Sequence, residues 1–262
     1  MTSVMNEQGA KPLLGHLIEL RKRLLWSMVA VISAMVVAYI FVDEIYGFLV
    51  QPLAHAMGPD DTNRLIYTGL TEAFFTYMKV AFFAGLFVTF PFVLMQIWLF
   101  IAPGLYKDER QAFLPFFIAT PILFFIGGAC VYYLVLPAAW PFFLSFQSTG
   151  ANTALPIQFE ARVSEYLNLT MFMIFAFGVC FQLPVLLMLM AKAGLITAQT
   201  LTSKRKYAVV MIFIVAAILT PSPDILSQVM LATPMIILYE ISILLIKSAN
   251  RKHAARNATG AA

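Results

Sequence analysis

Charged residues are scarce in this chain of 262 residues, where they make up only 11% of the sequence. Hydrophobic residues make up 61%, and the mean hydropathy is +0.85. A soluble domain is about half apolar and about one quarter charged, so this balance excludes an ordinary soluble protein. The apolar residues form long unbroken blocks, which indicates membrane-spanning helices and not the alternating pattern of a membrane barrel.

Most signatures of enzymes and cofactor sites are absent as well. The sequence has no GxxxxGK[ST] phosphate-binding loop and no HExxH, GxSxG or CxxC motif. None of its histidines (His16, His55 and His253) lies within an apolar block, and Cys130 and Cys180 fit the role of small core residues. We therefore predict no catalytic residue, no metal site and no cofactor.

Six apolar blocks are candidate spans, at about 24–42, 80–102, 112–136, 166–191, 207–220 and 229–246. The first four are 19 to 26 residues long, enough to cross a hydrocarbon core of about 30 Å at 1.5 Å per residue. The fifth block has 14 residues, or about 21 Å of helix, and the sixth is near the lower limit. We expect this short pair to thin the bilayer locally or to admit water.

Lysine and arginine are distributed unequally among the segments that join these blocks. If both termini lie on one side, that side holds 14 of the 17 bases, and only Arg64, Lys79 and Arg162 lie opposite. Because basic segments stay in the cytoplasm, the pattern predicts an all-α integral membrane protein with six transmembrane helices and both termini cytoplasmic. The first block is interpreted as a retained span. Residues 1–262 are expected to form one membrane domain that ends in a flexible cytoplasmic tail, 247–262.

Two further features are expected to shape the fold. Residues 43–57 place Ile45, Phe48 and Leu49 on one helical face, which predicts a short interfacial helix. Prolines interrupt four spans and are expected to bend them into a curved, concave bundle. These prolines are Pro91, Pro115, Pro121, Pro184 and Pro234.

Two acids stand out on the side that is rich in bases. Glu19 lies in HLIELRKRLL, four residues before Arg23, which is the spacing of a helical ion pair worth about 0.2–0.5 kcal/mol. Glu109, in IAPGLYKDERQ, has charged neighbours and reads on its own as a solvated loop residue. Together the two acids also suit a cationic partner, ideally a guanidinium group, which binds a carboxylate through two hydrogen bonds.

Other polar residues lie within or beside the last three spans. Gln182 is near the middle of the fourth, Asp224 and Gln228 flank the start of the sixth, and Glu240 lies two thirds along it. Each has a structural explanation: a neighbouring helix for Gln182, helix N-terminal chemistry for Asp224 and Gln228, and a partner or water for Glu240. Polar groups inside a membrane are also functional candidates, so both interpretations stay open.

Five motifs occur in order along these blocks: HLIELRKRLL, FIAPGLYKDER, GVCFQLPVLLMLM, LTPSPDILSQ and PMIILYEI. In this arrangement the chain resembles TatC, the multispanning receptor subunit of the twin-arginine protein translocase, over about residues 12–246. The resemblance implies a protein of the bacterial inner membrane that binds the twin-arginine signal peptides of folded cargo. It also implies an oligomeric complex with the single-span proteins TatA and TatB, driven by the proton-motive force.

The resemblance further implies two sets of site residues. The signal-peptide set is Glu19, Arg21, Phe100, Leu105, Lys107 and Glu109. The set of partner-binding and intramembrane polar positions is Pro52, Gln182, Asp224, Gln228 and Glu240. At Gln182 the family often has Glu, so the chain lacks a titratable group at that position.

Three other functions compete with a signal-peptide receptor. A proton-coupled secondary transporter of a small solute would use Gln182, Asp224 and Glu240, but no internal repeat is visible and intramembrane charges are few. A membrane-embedded enzyme would need a nucleophile with its base, or metal ligands, inside the spans. An assembly scaffold differs from a receptor only in lacking signal-peptide binding.

Overall fold

The computed structural model describes residues 7–58, 64–105, 114–147, 159–220 and 225–259. These residues form ten α-helices, and their only β-type pairing is an isolated parallel bridge between Ile66 and Arg162. The helices are α1 (Glu7–Ile40), α2 (Val42–Met57), α3 (Glu72–Leu105), α4 (Leu114–Cys130), α5 (Leu136–Leu144), α6 (Val163–Cys180), α7 (Leu183–Lys192), α8 (Ala198–Ser203), α9 (Arg205–Leu219) and α10 (Ile225–Thr259). The predicted all-α class and the short helix predicted at 43–57 are both confirmed.

Five segments of the described chain are long and apolar enough to cross a membrane. They are Gly15–Ile40, Glu72–Phe100, Phe116–Leu144, Val163–Lys192 and Gln228–Asn250. The predicted short fifth span corresponds to α9, whose 15 residues amount to about 22 Å of helix, below the usual length of a span. The count of six spans, the cytoplasmic termini and the concave profile remain predictions.

The third and last spans extend beyond their predicted ends. A π turn, Val131–Val135, joins α4 to α5, and the Leu136 N–H donates to the Val131 carbonyl, five residues earlier. Pro137 has no N–H to donate, and the widened turn before it carries the helix past residue 136 to Leu144. Helix α10 likewise continues through residues 247–259; the flexibility of this tail stays a prediction.

The fourth span is interrupted at its middle. Helix α6 ends at Cys180 and α7 begins at Leu183, with Phe181 and Gln182 between them. Pro184 lies in the first turn of α7, where its missing N–H has no intrahelical partner to lose. By contrast, α3, α4 and α10 run through Pro91, Pro121 and Pro234 without interruption.

The described residues belong to two compact units, the first drawn from 1–46 and 77–121, the second from 47–76 and 122–262. In the first unit α1 and α3 meet at Gly85, where an added Cβ would lie 2.5 Å from the backbone nitrogen of Met35. Helices in lipid associate mainly through close van der Waals packing, which small residues permit. Gly85 therefore lets the two backbones touch.

In the second unit α4 and α6 cross in a similarly close contact. A Cβ at Gly127 would lie 2.7 Å from the Phe177 carbonyl oxygen, and one at Gly178 would lie 2.6 Å from the Phe124 ring. The rings of Phe124 and Phe177 are fully buried at this crossing. The largest fully buried side chains of the unit also include Leu53, Leu136, Leu167, Leu231, Ile243 and Ile246.

Candidate functional site

Glu19 forms an ion pair within α1. The Arg23 guanidinium donates from Nε, at 3.1 Å, and from Nη2, and both hydrogen bonds reach the same oxygen, Oε1 of Glu19. The Glu19 side chain is 38% exposed and that of Arg23 is 21% exposed. Among the described residues no donor reaches Oε2 of Glu19. The pair suggested by the four-residue spacing is present, and one carboxylate oxygen is left for a further donor.

Side chains of α3 lie beside this ion pair. Arg23 Nη1 donates to Oε1 of Gln96 at 3.4 Å, and the His16 imidazole stacks on the Phe100 ring with centroids 4.2 Å apart. His16 precedes Glu19 by one helical turn, and Gln96 precedes Phe100 by one turn, so each pair shares a helix face. Sequence reasoning did not predict His16 or Gln96 as site residues. The signal for Gln96 was its position four residues before Phe100, on the same helix face.

Arg21 lies on a different face of α1. It lines an open groove together with Ile18, Lys22, Leu25, Trp26 and Val29. At about 100° per residue, the middle of this face is about a third of a turn away from the face of Glu19 and Arg23. The structure therefore does not bring Arg21 together with Glu19.

Several predicted residues lie outside the described part of the chain. They are Lys107, Glu109 and Asp224. Leu105 is the last residue of α3, so Glu109 follows the end of this helix by four positions. The roles of these residues stay predictions.

Gln182 lies in the interruption between α6 and α7 and is only 8% exposed. Its backbone N–H donates to Val179 O at 2.9 Å, and its carbonyl accepts from the Leu186 N–H at 2.9 Å. The break signalled by Pro184 thus places an amide side chain, with no titratable group, at a buried helix end in the middle of a span.

Gln228 and Glu240 connect α10 to α9. Gln228 Nε2 donates to the Phe213 carbonyl at 3.0 Å, and Arg205 Nη2 donates to Oε2 of Glu240 at 2.7 Å. Both side chains of the Arg205–Glu240 pair are partly exposed. Each of the two predicted polar positions therefore has a partner within the chain, as a polar group in an apolar span requires.

Pro52 removes one backbone hydrogen bond from α2. It has no N–H to donate to the Phe48 carbonyl four residues earlier. The Tyr132 hydroxyl donates to that carbonyl at 2.8 Å, and its ring stacks on Phe48 with centroids 4.2 Å apart. The next carbonyl, of Leu49, accepts from the Tyr166 hydroxyl at 2.8 Å. The structure thus shows that Pro52 leaves a carbonyl of α2 to the Tyr132 hydroxyl, and sequence reasoning missed both tyrosines.

Replacing Tyr132 with Phe is expected to destabilise the protein by about 1–3 kcal/mol, because the Phe48 carbonyl loses its donor. Adding Pro52→Ala supplies an N–H to the same carbonyl and is expected to recover much of that loss. Melting curves of the wild type, both single variants and the double variant measure this coupling. Tyr133→Phe is the matched control, since Tyr133 is exposed. Equal losses with and without Pro52→Ala would contradict this account.

A second unpredicted cluster forms around the carboxylate of Glu72. It accepts hydrogen bonds from the Thr68 N–H at 2.8 Å, the Gly69 N–H at 3.1 Å and the Ser164 hydroxyl. Ile66 pairs nearby with the segment before α6: its N–H donates to Ala161 O at 3.0 Å. These contacts connect the segment after α2 to the start of α6.

Within the described ranges no group of three or more His, Cys, Asp and Glu side chains is placed to hold a metal ion. Cys130 and Cys180 are free thiols. Glu19, Arg23 and Gln96 supply one carboxylate, one guanidinium and one amide. Together these groups can exchange charged hydrogen bonds with a ligand.

Comparison with known proteins identifies the fold. The family model described as Sec-independent protein translocase protein (TatC) matches residues 15–234. A protein of that name from Magnetococcus marinus is 50% identical over 252 residues, covering 96% of this chain and 89% of the relative. The Escherichia coli K12 protein is 38% identical over 240 residues, covering 91% and 89%. A crystal structure of the twin arginine translocase receptor TatC in DDM has a TM-score of 0.75 at 35% identity, covering 88% of this chain and 99% of that one.

These matches extend over most of the chain and agree with its apolar helices, which make it a multi-pass membrane protein. TatC proteins are non-enzymatic components of the Tat protein translocase. Sequence identity, family model and fold agree, and the chain belongs to the TatC family.

Proposed function

We propose that this chain is the receptor subunit of the twin-arginine export system in the bacterial inner membrane, where it binds the signal peptides of folded cargo at its cytoplasmic face. Membership of the TatC family supports the translocase role. The observation that carries the receptor role is the Glu19–Arg23 pair. Glu19 already binds an arginine guanidinium through Oε1, and no donor from the described part of the chain reaches its Oε2.

The geometry supports an exchange of arginines at Glu19. A signal-peptide guanidinium would bond Oε2 and then displace Arg23, which keeps Gln96 as an acceptor. A helical ion pair is worth about 0.2–0.5 kcal/mol, and a hydrogen bond to a charged group contributes about 1.5–3 kcal/mol. The Arg23 pair is therefore only a weak competitor for an incoming arginine.

The second arginine of the signal needs a second carboxylate, and we assign this role to Glu109. Phe100 and Leu105 lie on α3, the helix that precedes Glu109 in the sequence. They would contact the apolar part of the signal peptide. Lys107 would repel other cationic peptides, so that discrimination depends on geometry as well as charge.

The polar positions of the second unit are proposed to serve TatA- and TatB-type partners. Gln182 would offer its amide to a polar group of a partner helix within the membrane. Gln228 and Glu240 would act by holding α9 against α10. Asp224, which precedes α10 in the sequence, and Pro52 of α2 are assigned to the same partner-binding set.

Photo-crosslinking tests the receptor role directly. With p-benzoylphenylalanine in place of Phe100, crosslinks to an Arg-Arg signal peptide should exceed those to its Lys-Lys counterpart about tenfold or more. A guanidinium binds a carboxylate in a two-pronged geometry that an ammonium group cannot reproduce.

The same photoreactive residue in place of Tyr67 provides the matched control. Tyr67 is an exposed aromatic residue of the second unit and is not part of the proposed site. No preference for Arg-Arg at position 100, or the same preference at position 67, would overturn the proposal.

A further inference from the structure

The groove on the second face of α1 has the composition of a lipid site. Its lining residues follow the spacing of one helical face: Ile18, Arg21, Lys22, Leu25, Trp26 and Val29. Apart from Ile18, the two bases come first in the sequence, and the apolar residues Leu25, Trp26 and Val29 continue towards the middle of the span. The groove thus has a cationic end and an apolar end.

The cationic end carries two uncompensated charges. Arg21 and Lys22 are exposed, and neither makes an ion pair within the described part of the chain. Arg23, which follows directly, is neutralised by Glu19. An anion at this end of α1 would therefore meet two bases and no competing carboxylate in the groove.

The apolar end is open along the helix. Leu25 is 50% exposed, Trp26 58% and Val29 54%. In the span Gly15–Ile40 only 11% of the most apolar window is buried, against 50% in Val163–Lys192. Tryptophan favours the level of the lipid headgroups, so we expect Trp26 at the boundary between a headgroup and its acyl chain.

We infer that this groove binds an anionic phospholipid, with the phosphate between Arg21 and Lys22 and an acyl chain along Leu25, Trp26 and Val29. Charge complementarity selects this occupant: a twin-arginine signal is cationic and is repelled by both bases, and a zwitterionic lipid lacks the net charge. The inference goes beyond signal recognition and gives Arg21 a role separate from that of Glu19. It can be tested with lipids alone, in the absence of a signal peptide.

Trp26 serves as the reporter for the test. The full chain is reconstituted with Trp98→Phe and Trp140→Phe, which leaves Trp26 as the only tryptophan of the three. Phosphatidylglycerol with brominated acyl chains should quench its fluorescence at about one twenty-fifth of the mole fraction needed with brominated phosphatidylcholine. Each base near an anionic headgroup is worth about 1 kcal/mol, a factor of about five in affinity.

Arg21→Gln with Lys22→Gln should bring the two lipids to nearly equal quenching. Lys204→Gln with Lys206→Gln removes the same charge from exposed residues of the second unit and should leave the preference unchanged. Equal quenching in the parent protein, or equal loss of preference in the control pair, would overturn the inference. A Trp26 that neither lipid quenches would also overturn it and would point to a protein partner.

Native mass spectrometry of the chain with all three tryptophans gives a second measurement if the single-tryptophan protein does not fold. Fewer retained phosphatidylglycerol molecules are expected after Arg21→Gln with Lys22→Gln than after Lys204→Gln with Lys206→Gln. Equal numbers would contradict the groove as a lipid site.

Discussion

Replacing Gly127 with Leu is expected to abolish the folded state of the second unit. A Cβ at this position already lies 2.7 Å from the Phe177 carbonyl oxygen and 2.9 Å from the Gly178 Cα. Both are backbone atoms of α6, so no rotamer change can relieve the clash. Overpacking by one or two methylenes costs about 1–3 kcal/mol, and leucine adds four carbons at a backbone contact.

Size-exclusion profiles and melting curves of the detergent-purified variant measure the loss. Gly47→Leu is the matched control, because an added Cβ there meets no atom within 4 Å. Gly127→Ala should lie between the two, with a loss of about 1–3 kcal/mol. A Gly127→Leu protein that purifies and melts like the wild type would show that α4 and α6 do not cross as described.

Glu19→Gln is expected to weaken binding of an Arg-Arg signal peptide by about ten- to a hundredfold. The neutral amide loses charged hydrogen bonds worth about 1.5–3 kcal/mol. Arg23→Gln should act in the opposite direction and strengthen binding about twofold, because it removes a competitor whose pair with Glu19 is worth only about 0.2–0.5 kcal/mol. Fluorescence anisotropy of a labelled signal peptide measures both changes.

Glu165→Gln serves as the control for loss of an acid, since Glu165 pairs with Arg162 near the start of α6. Its binding curve should match that of the wild type. If Arg23→Gln weakens binding as much as Glu19→Gln does, Arg23 is part of the receptor surface and is not a competitor for it.

Local features of this protein could be predicted from its sequence because they depend on spacing along the chain. Unbroken apolar blocks predicted the helices, and the four-residue spacing of Glu19 and Arg23 signalled their pair. Pro184 signalled a disturbance in the fourth span, although it produces an interruption where a bend was expected. In each case the relevant atoms lie within about one helical turn of each other.

Contacts between helices could not be predicted in the same way. Arg23 reaches Gln96 over 73 positions, and Tyr166 reaches the Leu49 carbonyl over 117. In a membrane protein the surfaces that face lipid and those that face other helices are both apolar, so hydropathy does not distinguish them. Pro52 shows the limit most clearly: the sequence reveals a missing donor, but not that Tyr132 replaces it.

The hydrogen bonds of Glu72 must form in a fixed order while the chain is being synthesised. The bonds to Thr68 and Gly69 are local and can form at once, but Ser164 follows Glu72 by 92 residues. At about 5–20 residues per second, the ribosome needs about 5–20 s to supply that partner. Until then Ile66 also lacks Arg162, the residue with which it forms the isolated β-bridge. A chain that stalls before α6 would leave residues 64–72 without these partners, and chaperones and proteases act on chains that are incompletely folded.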